Sequence, residues 1–259
     1  MPASTSKSPR PAAGPRVRPV PAVSRALAIL RLLAGHPEPM TLKSISEELG
    51  MVTSTCLHIL RVLVGEGMVK VDPGTKRYSL DVGVLALARS VVDNNPFPVR
   101  VQPALDRLSG AWNVTTIGVK VTGVEDLVVL ALARSRAPFR LYAEVGSRVP
   151  ALTSATGRLV AAYAGLSDTE LARHFKALSW DNAPDFATWT KEVRAVQRKG
   201  FAVDRGNYMS GITVIAVPIL DGQQRVTHAL VALGLSDQLT SARTQALATD
   251  LLQEAKGLS

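Results

Sequence analysis

The chain has 259 residues, 46% of them hydrophobic, which is enough apolar surface for two globular cores. Its formal net charge is +9, and the excess lies near the N-terminus: residues 1–80 hold 11 Lys and Arg against 5 Asp and Glu, whereas residues 81–259 hold 19 against 16. A basic module favours a polyanionic partner, because its cations displace the counterions that surround nucleic acid.

Several classes of protein are excluded by what the sequence lacks. Cys56 is the only cysteine, so an intrachain disulfide and a zinc centre built on several cysteines are both excluded. No apolar run reaches membrane-spanning length and no signal-peptide segment is present near the N-terminus, so we expect a cytoplasmic protein. The histidines are scattered, so neither a metal site nor a cofactor is expected; they are His36, His58, His174 and His228.

The first elements in chain order are a tail and a helix. Residues 1–19 are rich in Pro, Ser, Ala and Arg with little to bury, which predicts a disordered basic tail. Sequence-independent DNA affinity and no role at all fit this tail equally well. An amphipathic helix is predicted over residues 24–34, with Leu27, Leu30 and Leu33 on one face.

Residues 41–64 contain two short helical patterns separated by Gly50. In the first pattern Thr41 can cap a helix that carries Leu42, Ile45 and Leu49 at helical spacing. The second pattern has an apolar inward side and a largely polar outward side: Cys56, Ile59, Leu60 and Leu63 against Ser54, Thr55, Leu57, His58 and Arg61. Such a helix can lie in a major groove and reach bases and phosphates, which predicts a helix-turn-helix.

The residues that follow predict a β-hairpin with a basic tip. Strands at 69–71 and 76–80 flank a turn at 72–75, and Lys76 and Arg77 are placed to contact the sugar-phosphate backbone. Three helices and a hairpin form a winged helix-turn-helix, which we assign to residues 20–81. Its predicted DNA contacts are Arg25, Lys43, Thr53, Ser54, Thr55, Leu57, His58, Arg61, Lys76 and Arg77.

A linker helix and a second domain complete the chain. Residues 82–95 form the linker, whose apolar character suits a helix packed on more than one side, including against a second subunit. The domain at 96–259 mixes helices at 99–112, 155–164, 168–178, 186–199 and 240–256 with strands at 115–121, 126–133, 139–143, 201–204, 212–220 and 227–235. Hairpin-connected strands with helices on one side predict an α+β domain on an antiparallel sheet.

The chain resembles the IclR-type bacterial transcriptional regulators over residues 20–235. The resemblance is carried in the first domain by SRALAILRLLA, LKSISEELGMVTSTCLHILRVLVGEGMV and KRYSLDVGVLAL, and in the second by VGSRVPALTSATGRLVAAYAG, VRAVQRKGFAVDRGNYMSGITVIAVPILD and HALVALGL. It implies a winged helix-turn-helix joined to a GAF-like effector-binding domain, in a dimer or tetramer. Leu57-His58 stand where the family commonly has His-Arg, so a different operator sequence is expected.

The resemblance also places a small-molecule effector beside the loop and helix start at 152–158. Backbone N–H groups of Ala155 and Thr156 can hold a carboxylate there, although Thr153 or Ser154 acting only as a helix cap is an alternative interpretation. The resemblance assigns Asp204 to the polar end of the ligand. The predicted effector site comprises Leu130, Ser154, Ala155, Thr156, Gly157, Asp204, Asn207, Ile212, Val214, Ala232 and Gly234.

Several of these positions are less polar than in many relatives. Val214 stands where Cys is frequent, Asn207 where Glu is common, and Ala232 and Gly234 where hydroxyl residues often occur. A cavity lined by Ile212, Val214, Leu130 and Ala232 rewards apolar bulk at roughly 25 cal/mol per Å² buried, which predicts an aromatic or largely apolar effector with one carboxylate. A pocket closed over its own side chains is the alternative, against which the small residues at 232 and 234 argue.

No catalytic signature accompanies these features. The sequence has no G-x-S-x-G, no H-E-x-x-H and no complete phosphate loop, and the glycines at 65 and 67 fit a turn before the wing. We therefore predict no enzyme but a ligand-responsive regulator, a repressor by analogy with the family, that binds a near-palindromic operator. The second hypothesis is a ligand-binding or interaction module whose winged helix makes protein contacts.

Overall fold

Apolar residues at helical and strand spacing collect into three clusters, one in an N-terminal unit and two in a C-terminal unit. The computed structural model describes residues 20–135 and 144–258, without the side chains of 90–93, and it divides the chain into two units between Asn94 and Asn95. The predicted tail at 1–19 and the predicted strand at 139–143 lie outside the described residues. The domain boundaries chosen from the sequence stay predictions.

The N-terminal unit has the element order of a winged helix-turn-helix. Its wing is a three-stranded sheet in which β1 (Met40–Thr41), β3 (Arg77–Leu80) and β2 (Val69–Val71) lie side by side in that order, and the two-residue β1 had not been predicted. The Thr41 hydroxyl caps α2 (Leu42–Glu48) as expected, since it accepts the N–H of Ser44 at 3.1 Å. The elements are α1 (Pro21–Gly35), β1 (Met40–Thr41), α2 (Leu42–Glu48), α3 (Thr53–Gly65), β2 (Val69–Val71), β3 (Arg77–Leu80) and the predicted linker helix α4 (Gly83–Asp93).

The core of this unit corrects one prediction about α1. Leu27 is 44% exposed, whereas Ile29 is fully buried together with Leu33. Residues two apart on a helix differ by about 200° in direction, so a helix that buries Ile29 turns Leu27 outward. The cluster consists of Ile29, Leu33, Met40, Ile45, Cys56, Leu60, Leu63 and Val69.

A six-stranded antiparallel sheet forms the centre of the C-terminal unit. Its strands follow the order β6 (Arg148–Pro150), β5 (Asp126–Ala133), β4 (Thr115–Val121), β9 (Val226–Leu235), β8 (Ile212–Leu220) and β7 (Ala202–Arg205). The predicted α+β class is confirmed, and the short strand β6 is an addition to the predicted elements. The elements are α5 (Phe97–Trp112), β4 (Thr115–Val121), β5 (Asp126–Ala133), β6 (Arg148–Pro150), α6 (Ser154–Tyr163), α7 (Asp168–Ala177), α8 (Phe186–Lys199), β7 (Ala202–Arg205), β8 (Ile212–Leu220), β9 (Val226–Leu235) and α9 (Ser241–Lys256).

Helices cover both faces of this sheet, so the prediction of helices on one side is wrong. On one face α6 packs on β7, β8 and β9 and α8 packs on β7; on the other, α5 packs on β4 and β5, and α9 on β8 and β9. The reason lies in β8, where Val214 and Ile215 point to opposite faces and are both buried. A strand that is apolar on both sides needs cover on both sides.

None of the helices that the structure describes is by itself long and apolar enough to cross a membrane. Only α2 and α3 taken together, with a bend of 115° between them, reach the necessary length and composition.

Leu60 and Val62 of α3 provide a matched test of this core. Leu60 is fully buried and Val62 is 63% exposed. We expect Leu60→Ala to destabilise the N-terminal unit by about 2–5 kcal/mol through lost burial and a residual cavity. Val62→Ala is expected to change stability by no more than about 0.5 kcal/mol. Urea unfolding followed by circular dichroism measures both, and equal effects would contradict the described packing.

Candidate functional site

The outward side of α3 is polar and exposed, as predicted. Thr53, Ser54, His58 and Arg61 are exposed, while Thr55 and Leu57 are half-buried. The opposite side of the helix is fixed in the core, because its residues Cys56, Leu60 and Leu63 are buried. The helix therefore presents two hydroxyls, an imidazole and a guanidinium from a rigid support.

Two further predicted DNA contacts lie on α1 and α2. Arg25 is exposed and, with Ser24, lines a groove of about 300 Å³ that also borders Val52 and Thr55 at the start of α3. The Lys43 ammonium lies 3.8 Å from the Glu47 carboxylate, and both side chains are largely exposed. Surface pairs of this kind contribute little, so Lys43 is available to a stronger anion.

Hydrogen bonds accepted by Asp72 and donated by Arg77 stabilise the wing. The Asp72 carboxylate accepts hydrogen bonds from the Thr75 hydroxyl at 2.7 Å and from the Thr75 N–H at 2.6 Å. These two bonds hold the pKa of Asp72 below its usual range. Lys76 follows with a φ of 56° and is exposed. The Arg77 guanidinium donates to the Pro39 carbonyl at 2.9 Å, so Arg77 also braces the wing against the segment before β1.

In the C-terminal unit, the start of α6 has an unusual backbone and an unsatisfied hydroxyl. Ser154 has a φ of 58°, which is unfavourable for a residue with a side chain. Its Oγ is buried and has no hydrogen-bond partner among the described residues. The Thr153 hydroxyl donates to the Pro150 carbonyl at 2.8 Å instead of capping the helix. The interpretation of either residue as a plain cap therefore lacks support.

A close backbone approach shapes the same turn. A Cβ at position 157 would overlap the carbonyl oxygen of Leu152, so only glycine fits there without a shift of the backbone. The Gly157 N–H donates to the Thr153 carbonyl at 2.6 Å, and the Thr156 hydroxyl donates to the same carbonyl at 2.9 Å. The N–H groups of Ala155 and Thr156 lie in the first turn of α6, where a helix has no internal acceptors for them.

Sequence reasoning missed Arg158, which is only 1% exposed. Its guanidinium donates to the Ser154 carbonyl at 3.0 Å, to Asn207 Oδ1 at 2.7 Å and to Glu192 Oε2 at 2.6 Å. It also lies 3.8 Å from the Asp204 carboxylate and 6.0 Å from the centre of the Trp180 ring. The available signal was an arginine on a helix whose neighbouring positions are all small or apolar.

Asp204 and Asn207 are already engaged within the protein. Asp204 is 2% exposed and accepts the backbone N–H groups of Asn207 at 2.9 Å and Tyr208 at 3.2 Å. Asn207 accepts from Arg158 and donates to the Asn182 carbonyl at 3.1 Å. Both residues thus build the turn after β7. The role of Asp204 as a direct ligand contact stays a prediction.

The prediction that one cavity holds the effector is wrong, because the residues predicted to line that cavity lie on two different faces of the sheet. Ile212 and Val214 lie on the α6 side. The other predicted lining residues belong to the α5 and α9 side: Leu130, Ala232 and Gly234. Successive strand residues alternate in direction, so an error of one position moves a side chain to the other face. The β9 residues that share the face of Val214 include its direct partner Leu233 and Val231.

Among the described residues, no group of three or more His, Cys, Asp and Glu side chains is arranged to hold a metal ion. The polar groups around the start of α6 are one buried guanidinium, its carboxylate partners, an unsatisfied hydroxyl and first-turn N–H groups. Together they suit recognition of a small polar or anionic group beside an apolar surface.

Two family models match the sequence in the order of the two units. The model described as the IclR helix-turn-helix domain matches residues 22–73. The model described as the bacterial transcriptional regulator IclR C-terminal domain matches residues 90–259. Together they span nearly all the described residues.

Similar proteins agree with these matches. The chain is 28% identical to the glycerol operon regulatory protein of Streptomyces griseus over 225 residues, which is 86% of this chain and 87% of that one. A solved IclR transcriptional regulator of Alicyclobacillus acidocaldarius is 26% identical, with a TM-score of 0.78 over 93% of this chain and 98% of that one. Such relatives are regulators and not enzymes, as predicted here.

A further solved structure shares the fold at lower identity. It is an IclR homologue of Microbacterium hydrocarbonoxydans in complex with 4-hydroxybenzoate. The TM-score is 0.72 over 91% of this chain and 99% of that one, at 16% identity.

Gly157 and Gly110 provide a matched test of the α6 turn, since both lie in helices of the same unit. We expect Gly157→Ala to destabilise the C-terminal unit by about 1–3 kcal/mol, because the backbone of Leu152 must move. A Cβ at Gly110 meets open space, so Gly110→Ala is expected to stabilise by roughly 0.5–1 kcal/mol. Denaturant unfolding followed by tryptophan fluorescence distinguishes these outcomes, and a neutral Gly157→Ala would refute the close approach.

Proposed function

This chain belongs to the IclR family of bacterial transcriptional regulators, and we propose that it is a repressor with an aromatic or largely apolar carboxylate effector. In this proposal a dimer, or a tetramer made of two dimers, places two winged helices on a near-palindromic operator. Effector bound in the C-terminal unit then changes operator affinity. A coupling free energy of about 1–3 kcal/mol is sufficient to change occupancy several-fold.

One observation carries the DNA-binding part of this proposal. The α3 helix has a buried apolar back and an exposed polar front, which is the arrangement a recognition helix needs in a major groove. Arg25, which shares a groove with the start of α3, and the exposed Lys76 of the wing supply cations suited to phosphates. Leu57 is half-buried near this front and is suited to contact a thymine methyl.

Exposed apolar side chains support self-association of the N-terminal unit. Leu85 and Leu87 of α4 are 68% and 64% exposed, and Val23 of α1 is 56% exposed. Leu85 and Leu87 point to opposite sides of α4, so both sides of this short helix present apolar side chains that another surface can cover. A second copy of the same unit is the simplest partner, because a two-fold dimer matches the symmetry of a near-palindromic operator.

The effector part of the proposal depends on the α6 side of the sheet. The unsatisfied Ser154 hydroxyl and the first-turn N–H groups are suited to a carboxylate. The strand side chains on this face are apolar at Val214, Val231 and Leu233. An effector with an apolar body and one anionic end fits both features. The 4-hydroxybenzoate bound by the Microbacterium homologue is a compound of that class, which makes it a suitable first probe.

Operator binding is tested with the full chain and the DNA adjacent to its own gene. We expect footprinting to reveal two protected half-sites separated by about 34–36 Å along the duplex, or by a multiple of that spacing. Arg61→Ala combined with Lys76→Ala is expected to weaken binding and to reduce the slope of log K against log salt by about 0.9 for each lost phosphate contact.

The control removes the same charge from another surface. Arg173 and Lys176 are exposed on α7, and their double substitution by alanine is expected to leave operator affinity unchanged. If Arg61→Ala with Lys76→Ala also leaves affinity unchanged at moderate salt, the winged helix serves protein contacts. That result would favour the second hypothesis, an interaction module.

Effector binding is tested by calorimetry with 4-hydroxybenzoate and pyruvate. We expect the aromatic acid to bind and Ser154→Ala to weaken it by about fivefold, since one hydrogen bond is worth about 1 kcal/mol. The free protein is expected to lose no stability in this variant, because the hydroxyl has no partner there.

Ser109 is the matched control, because it lies on α5 and is 6% exposed like Ser154. Ser109→Ala is expected to leave affinity for 4-hydroxybenzoate unchanged. Binding of pyruvate alone would contradict an apolar effector, and equal losses in both serine variants would place the ligand away from α6.

A further inference from the structure

One buried guanidinium joins three elements around the start of α6. Arg158 bonds to the Ser154 carbonyl in its own helix, to Asn207 after β7 and to Glu192 of α8. Its guanidinium reaches the Ser154 carbonyl oxygen at 3.0 Å and Asn207 Oδ1 at 2.7 Å. The third acceptor, Glu192, is 45% exposed and lies towards solvent. Arg158 is therefore more than a neutralising partner for a carboxylate.

The Ser154 carbonyl is the informative contact. The peptide unit is planar, so the C=O of Ser154 and the N–H of Ala155 point in opposite directions and turn together. A donor that holds this carbonyl therefore also fixes the direction of the Ala155 N–H. The same residue, Ser154, has a φ of 58°, and that left-handed conformation needs support from its surroundings.

We propose that Arg158 is a positioning residue for the effector site. By holding the Ser154 carbonyl, Arg158 keeps the left-handed turn in place and aims the Ala155 N–H at an anionic ligand. The buried, unpartnered Ser154 Oγ lies at the same turn and marks it as a ligand site. This inference rests on the effector site of the proposed function. Lysine cannot replace arginine in this role, since an ammonium lacks the planar fork that meets three acceptors at once.

A double-mutant cycle between positions 158 and 154 tests the proposal. Glycine adopts positive φ at little cost, whereas alanine retains the strain of serine. In a Ser154→Ala background, Arg158→Lys is expected to accelerate hydrogen exchange of segment 153–158 by a factor of about 5–30. This factor corresponds to the free-energy cost of holding one non-glycine residue in the left-handed conformation. In a Ser154→Gly background, the acceleration is expected to stay below about twofold, because the turn no longer needs the guanidinium.

The readout is hydrogen exchange by mass spectrometry on the full chain, which requires no ligand. Equal acceleration in both backgrounds, or none in either, overturns the proposal. If Arg158→Lys does not fold alone, Arg158→Lys with Ser154→Gly is expected to fold, and its failure to fold would also overturn the proposal. Glu192→Gln is the control, and it is expected to leave exchange of this segment within about twofold of the parent protein, since the glutamine amide oxygen still accepts from Arg158 and the Ser154 carbonyl contact is unchanged.

Affinity for 4-hydroxybenzoate is measured on the same variants. In the Ser154→Ala background we expect Arg158→Lys to lower the affinity for 4-hydroxybenzoate about 5–30-fold. In the Ser154→Gly background we expect Arg158→Lys to lower this affinity less than about twofold. If exchange follows the cycle but no variant binds this probe, Arg158 positions the turn and the effector class is wrong. If the probe binds equally to all variants, the ligand does not use this turn and the positioning role is refuted.

Discussion

The two-residue alternation of the six-stranded sheet constrains everything else in the C-terminal unit. Val214 and Ile215 are neighbours in β8, yet one packs under α6 and the other under α9. Each face therefore has its own cluster, and the sheet separates them completely. A ligand that binds at the start of α6 meets only the residues of one face. The other face is a packed apolar core under α5 and α9.

The α6 face combines an apolar cluster with a buried positive charge. Burying an arginine is costly unless its donors are satisfied, and Arg158 satisfies them with a backbone carbonyl, an amide oxygen and the Glu192 carboxylate. The Asp204 carboxylate, 3.8 Å away, adds a second negative charge beside the guanidinium. The acceptors come from α6, α8 and the turn after β7, so the charge can be accommodated only when these elements are in place. The need to satisfy the Arg158 donors therefore favours one arrangement of these elements. Apolar packing alone would define that arrangement less sharply.

Much of the fold was predictable because most elements have strong local periodicity. The bounds of β4, β5, β8 and α8 agree with those expected from apolar spacing. The strand β6 was missed because its three residues are all exposed and give no alternation. The strand β1 has only two residues and depends on pairing with β3. These short strands are stabilised by pairing with neighbouring strands, and their own residues show no strand periodicity.

The site was harder to predict than the fold, for two physical reasons. The first is that an alignment to the family that is shifted by one residue assigns each strand side chain to the opposite face of the sheet. Such a shift explains why Ala232 was predicted on the face where Val231 lies. The second is that burial of a charge depends on partners far away in sequence. Glu192 and Asn207 are 34 and 49 residues from Arg158. By contrast, the outward side of α3 follows from helical spacing: Ser54, His58 and Arg61 are exposed as expected, and Thr55 and Leu57 are half-buried.

The distribution of two residue types gives each unit a natural probe. The only cysteine, Cys56, is fully buried among the helices of the N-terminal unit, whereas all three tryptophans lie in the C-terminal unit. Burial also raises the pKa of the Cys56 thiol, which keeps it in its unreactive protonated form. A thiol reagent can therefore react only when the first core opens, while indole emission reports the second. Opening of the two halves can be timed independently in a single unlabelled sample.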